Sequence, residues 1–158
     1  MGFKLYSRSF AVATLRRVEE ADRLRLLEVL LAAQAHAKKL KVPFVQDMEP
    51  FWAVGCILSG VISGVWIGDH TLLLYSVQRS SWHTSKVCVL SEHLIFKYKP
   101  TAGPTFGSVL AALDTLAKQY GAQAATVGTQ LSQYPERVQR AFVRSGYTKQ
   151  SNMLMKEY

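Results

Sequence analysis

Leu94-Ile95-Phe96-Lys97-Tyr98-Lys99, then Pro100-Thr101-Ala102-Gly103-Pro104-Thr105, then Phe106-Gly107-Ser108-Val109-Leu110 is the stretch whose reading decides the fold. Its first part alternates lysines with aromatics, as a half-buried strand does. Its second part is a Gly/Pro loop, and its third opens a helix that continues through Leu113, Leu116 and Ala117. Such a loop leaves backbone N–H groups unpaired at the start of the helix, where the helix dipole adds partial positive charge. A phosphate suits that position, so a small-molecule site is expected here.

Upstream, Val12 to Arg17 reads as a short strand, and the acidic Glu19-Glu20-Ala21-Asp22 reads as the entry to a helix. Leu24, Leu27, Leu30, Leu31 and Ala35 recur at helical spacing and form the expected core stripe; Lys38-Lys39-Leu40-Lys41 and Val42-Pro43 end the helix. A short helix is expected over Asp47 to Leu58 with Pro50 in its first turn. Strands follow at Val61–Ile67 and Thr71–Gln78 around the Gly68-Asp69 turn, and Lys86 to Lys99 reads as a long strand or a bulged pair. After the central helix, with Gly121 as its C-cap, come a strand at Ala124–Gly128, a helix at Pro135–Arg144 and a closing strand at Tyr147–Tyr158. The alternation of strands and helices in the second half predicts α/β architecture: a mostly antiparallel sheet flanked by helices, with one parallel strand pair near the loop.

The chain has 158 residues, enough for one domain spanning residues 1–158 with a real core. It is 49% hydrophobic and 19% charged, a globular rather than a disordered composition. Lys and Arg number 19 against 11 Asp and Glu, which favours an acidic partner: a phosphorylated cofactor, nucleic acid or an acidic protein surface. Cys56 and Cys88 sit in apolar runs without metal spacing, and read as buried free thiols of a reducing, cytoplasmic compartment. The four histidines show no metal spacing either. Phe51 to Gly68 is uncharged over 18 residues and contains Gly60-x-x-x-Gly64-x-x-x-Gly68, the pattern of a short membrane span. Its β-branched and aromatic residues and its glycines favour a helix turn followed by a strand instead.

Four segments together resemble the GCN5-related N-acetyltransferase (GNAT) superfamily, over about Leu15 to Tyr158. Leu15-Arg16-Arg17-Val18-Glu19-Glu20-Ala21-Asp22 resembles its first strand and the turn into its first helix. Ala102 to Leu110 resembles its acetyl-CoA pyrophosphate loop, Arg/Gln-x-x-Gly-x-Gly/Ala. Arg140-Ala141-Phe142-Val143-Arg144-Ser145-Gly146-Tyr147 resembles its last helix and exit, and Asn152 to Lys156 its terminal strand. Small divergent chains of this kind also resemble those carried by bacteriophages. The resemblance implies acetyl transfer from acetyl-CoA to an amine of a small molecule or protein. It implies a cofactor contact at Phe96, Lys97, Gly103, Thr105, Phe106, Gly107, Ser108 and, from the last helix, Arg140. Gly107 fits the loop pattern, while Ala102 and Thr105 stand at its Arg/Gln and middle Gly positions.

Acetyl transfer to an amine needs the amine deprotonated and the two reactants held together. Glu92 and His93 lie where the resemblance implies a base, and in a regular strand only one of two neighbours faces a given site. Phe142 stands where the family often has an acid Tyr; Tyr134 is the candidate replacement, with Tyr147 as another. Trp82 and His83 are candidates for an acceptor pocket. Arg137, Arg140 and Arg144 share one face of the last helix, with Val138 and Phe142 on its buried side. They suit cofactor phosphates or an acidic partner. The departures from the loop pattern, together with the basic charge, support an alternative: a catalytically degenerate GNAT-fold protein that binds a macromolecule, protein or nucleic acid. A monomer and a homodimer are both compatible with this reading.

Overall fold

The computed structural model describes residues 14–43, 45–79, 87–98, 106–129, 131–132 and 134–149. The elements in chain order are β1 (Leu15–Arg17), a 3-10 turn (Glu20–Asp22), α1 (Arg23–Leu40), α2 (Pro50–Leu58), β2 (Ser63–Ile67), β3 (Thr71–Arg79), β4 (Cys88–Lys97), α3 (Phe106–Tyr120), β5 (Ala124–Thr126) and α4 (Pro135–Arg144). The strands form one five-stranded sheet in the order β1-β2-β3-β4-β5. The first three pairings are antiparallel, and β4–β5 is parallel. This is the mixed sheet expected from the sequence. Tyr147 to Lys149 are not in a strand, and the remainder of the expected closing strand lies outside the described residues.

The local chemistry places the boundaries. Lys41 takes a left-handed conformation (φ 54°) and its N–H returns to the carbonyls of Ala37 and Lys38, which closes α1 ahead of Pro43. Pro50 opens α2, where its missing N–H costs nothing. Gly68 (φ 61°) turns β2 into β3. The Gly60–Gly64–Gly68 pattern therefore spans a helix end, a strand and a turn. Among the described residues no helix is long and apolar enough to cross a membrane.

At the entry to α1, Asp22 is buried and receives two hydrogen bonds from the Arg16 guanidinium, at 2.9 and 2.8 Å. Its Oδ2 also accepts from the Glu19 N–H at 2.9 Å. The guanidinium holds the Asp22 carboxyl well below the usual carboxylate range, at about 2. The acidic run expected to start the helix thus also ties it to β1.

The sheet separates two cores. On one face α1 and α2 bury Leu26, Val29, Val54 and Ile57 against Trp66, Leu72, Leu74 and Leu94. On the other, α3 and α4 bury Val109, Leu113, Leu116 and Phe142 against Ile67, Leu73, Tyr75 and Leu90. The core face of α1 is Leu26, Val29, Leu30, Ala33 and Ala37, not the stripe expected from periodicity. Of that stripe Leu30 is buried, while Leu24 is 77% exposed and Leu31 46%. Leucines occupy both sides of this helix, so spacing alone does not choose the face. The cysteines are free as expected, but half-buried rather than buried.

At Gly64 the α2 side chain Ile57 packs close over the backbone of β2. A Cβ there would stand 3.0 Å from Val18 Cγ2, 3.1 Å from Ile57 Cγ2 and 3.2 Å from Leu74 Cδ2. Gly64→Ala is expected to destabilise the protein by about 1–3 kcal/mol through overpacking. An unchanged urea midpoint for this variant would contradict the close approach.

Candidate functional site

The site is made by two strands that part. β5 pairs with β4 only through Val89↔Ala124, Leu90↔Ala125 and Ser91↔Thr126, whereas β3 accompanies β4 as far as Lys97. Among the described residues no strand follows β4 on its other edge past Ser91. The gap is a cleft of about 480 Å³. Glu92, His93 and Ile95 form one wall, and the chain from Thr126 to Thr129 forms the other. Phe106, Val138 and Phe142 close it on the α3/α4 side; Val45, Leu131 and Ser132 line it further. Leu131 belongs to the α1/α2 core, so the cleft meets both layers. His36 Nε2 lies 2.9 Å from the Leu131 carbonyl oxygen, which ties α1 to this wall.

A bulge in β4 sits at the fork. Leu74 opposes Leu94 and Tyr75 opposes Glu92, so His93 has no partner on β3. The bulge breaks the alternation of the strand: Leu90 packs in the α3/α4 core and Leu94, four residues on, in the α1/α2 core. Both Glu92 and His93 consequently line the cleft, which corrects the expectation that only one of them faces it. His93 Nε2 lies 2.8 Å from Ser76 Oγ. Glu92 Oε2 accepts a hydrogen bond from the Gly128 N–H at 2.8 Å, across the fork. Burial pushes the Glu92 carboxyl up, and the Gly128 bond only partly offsets this. A carboxyl raised in this way is suited to taking a proton from an amine.

No family model matches the sequence, and no curated protein matches it. Solved structures match over nearly the whole chain. A ribosomal-protein-alanine N-acetyltransferase from Brucella melitensis biovar Abortus 2308 superposes with a TM-score of 0.64 at 9% identity, over 92% of this chain and 99% of its own. An aminoglycoside acetyltransferase from an uncultured soil metagenomic sample gives 0.65 at 11% identity, over 92% and 97%. A transcriptional regulator from Bacillus halodurans C-125 gives 0.61 at 13% identity, over 92% and 99%. The chain has the GNAT fold. The agreement lies in the path of the backbone, so the residues of the site must be argued from this chain alone.

Within this GNAT fold the expected site residues separate into groups. Glu92, His93 and Phe106 meet at the cleft. Gly107 and Ser108 lie in the first turn of α3, but Ser108 is buried. Phe96 packs with the α1/α2 core, its ring 5.9 Å from that of His36, and does not line the cleft. Lys97 is exposed at the end of β4. Arg140 is exposed on α4, whose buried side carries Phe142, as the sequence predicted. Tyr134 is 66% exposed at the N-cap of α4 and Tyr147 packs edge-on against Phe142 at 5.0 Å; neither lines the cleft. Gly103, Thr105, Trp82 and His83 lie outside the described residues. Sequence reasoning missed Gly128, whose signal is a glycine just past a short parallel strand. It also left the bulge unplaced, although Ser91-Glu92-His93 interrupts an otherwise apolar run.

The raised carboxyl gives a testable sign. A folded-state pKa above the unfolded one contributes stability below the unfolded value of about 4.3, and that stability is lost as pH rises through the folded value. Ionised Glu92 is therefore a burden at neutral pH. Glu92→Gln is expected to melt higher than the parent at pH 7.5, with the gap closing at pH 4. Equal melting temperatures at pH 7.5 would rule out this assignment.

Proposed function

We propose that the cleft is the active site of an acetyl-CoA-dependent N-acetyltransferase acting on an amine of a small molecule or protein. The observation that carries this reading is the position of Glu92: a carboxyl with a raised pKa, fixed by the Gly128 N–H, at the apex of a cleft between parting parallel strands. The cleft fits the donor's chemistry. Among the described residues no strand lies beside β4 on its outer edge past Ser91, and the backbone groups of a strand edge suit an extended chain of amides. Phe106, Val138 and Phe142 offer an apolar wall, and the first-turn N–H groups of α3, which a helix leaves without intrahelical partners, suit phosphate. The volume of about 480 Å³ is within the range of small-molecule sites.

Acetyl-CoA would supply an acetyl thioester, whose carbonyl carbon is attacked by an unprotonated amine with loss of the thiolate. The chain's tasks are to hold the two groups together and to accept one proton. With Oε2 occupied by Gly128, the proton goes to Glu92 Oε1, directly or through water. His93 is held against Ser76 and lines the mouth of the same cleft. Tyr134 is too far out on α4 to be favoured as an acid. A thiolate is a far weaker base than an alkoxide and can leave without one.

A second reading is a GNAT-fold protein that binds an acidic macromolecule without catalysis. It rests on the exposed Arg137, Arg140 and Arg144 of α4 and on Phe142, which has no proton to give. Calorimetry with acetyl-CoA separates the two. Binding is expected at or below millimolar concentration, and a flat titration would favour the second reading. Gly107→Trp, in the first turn of α3, is expected to abolish binding. Glu92→Gln is expected to keep it while lowering acetyl transfer about a hundredfold or more. Unchanged turnover in Glu92→Gln would remove Glu92 as the base.

A further inference from the structure

The charges around the cleft point to the kind of amine it accepts. Glu92 is the one carboxylate lining it among the described residues. The segments outside the description contain a single acidic residue, Glu157, so they add almost no negative charge wherever they lie. Asp47 and Glu49 follow Val45 in the connection from α1 to α2, but both are exposed and neither lines the cleft. Over the whole chain, positive charges exceed negative ones by eight. Besides the His93 imidazole, which is no counter-charge for an ammonium group, the walls are apolar, from residues such as Val45, Ile95, Val127 and Leu131, or carry neutral hydroxyls, from Thr126, Thr129 and Ser132.

An acceptor with one ammonium group can pair it with Glu92 and give up its proton there. A second or third ammonium in the same ligand would be desolvated against apolar side chains with no counter-charge, and would approach a cationic protein. We propose that the acceptor is a primary amine bearing one positive charge on an apolar body, as in an arylalkylamine or the N-terminal residue of an uncharged peptide, and not a polyamine or an aminoglycoside. This deepens the acetyltransferase reading and rests on it for the fate of the amine. The recognition step itself can be measured without the donor.

The Gly128 amide is the reporter, because its N–H is bonded to the carboxylate that meets the amine. The nitrogen-15-labelled protein is titrated, without acetyl-CoA, with 2-phenylethylamine, with a phenylalanine-initiated tripeptide amide free of Lys and Arg, with spermidine and with kanamycin. At least one of the first two is expected to shift the Gly128 resonance with about tenfold or greater preference over both polycations, equivalent to about 1.4 kcal/mol. The stronger of the two single-charge probes tells whether the amine comes from a free small molecule or a chain terminus. Polycations binding as tightly or more tightly would overturn the proposal, as would no shift with either single-charge amine. Val45→Asp adds a carboxylate to the wall and is expected to narrow the preference at least threefold; an unchanged preference in a folded variant would also count against it. Failure of acetyl-CoA to bind would sink the acetyltransferase reading while leaving this order of affinities measurable.

Discussion

Two parallel strands can stay together only while each finds the other's backbone groups, and here that holds for three residue pairs and then stops. Past Ser91, β4 is still held by β3 as far as Lys97, while the chain after Thr126 leaves the sheet. The departure is filled and fixed by side chains. Phe142 of α4 packs edge-on against Phe106 of α3 at 4.9 Å and both line the cleft, while His36 anchors Leu131 on the far wall. Where strands part, backbone polar groups need other partners. The Glu92 carboxylate gives the Gly128 N–H its partner across the gap. Both sides of the fork reach both cores, through Leu94 and Ile95 on one and Leu131 and Val127 on the other.

The bulge at His93 converts this geometry into chemistry. Without the extra residue, Glu92 and Leu94 would share a face, and either a carboxylate would enter a hydrophobic core or Leu94 would leave one. With it, Leu94 remains buried in the α1/α2 core, while Glu92 and His93 both reach the cleft. Glu92 is poised between two opposing effects. Burial disfavours its charge and the Gly128 N–H favours it, with burial prevailing. Compare Asp22, where a guanidinium supplies two hydrogen bonds and the balance falls the other way, to about 2. The same functional group is held ionised at one position and pushed toward its neutral form at the other because of what faces it.

The order of elements was legible because each boundary has a local cause: Pro50 at a helix start, Lys41 and Pro43 at a helix end, Gly68 at a hairpin. The parallel pair followed from connectivity, while Glu92 and His93 were singled out by the family resemblance. What was not legible depends on contacts between distant segments. The stripe Leu24, Leu27, Leu31 is as apolar as the one that is buried, and only packing against the sheet chooses between them. Ser108 sits at a phosphate-loop position in the sequence but turns inward with α3. Phe96 alternates as a cleft residue would, until the bulge two turns of the pleat earlier sends it to the other face. Gly128 shows in the sequence only as a glycine just past a short strand, and its partner is thirty-six residues away.

Phe142 bears most directly on whether a fold of this kind keeps its chemistry. As a proton donor it is mute, and on sequence grounds it weakens the case for catalysis. In the structure it is 3% exposed, with Phe106 at 4.9 Å and Tyr147 at 5.0 Å, both edge-on. A ring so enclosed contributes through its buried area and its aromatic contacts, and a hydroxyl added there would need a partner or bear a desolvation cost. The residue therefore serves the wedge that holds the strands apart. A phenylalanine at this position leaves the Glu92 carboxyl on the β4 wall, and its bond to the Gly128 N–H, untouched. Under the acetyl transfer proposed above, proton uptake and donor binding are separable demands, and neither asks for a hydroxyl at this position.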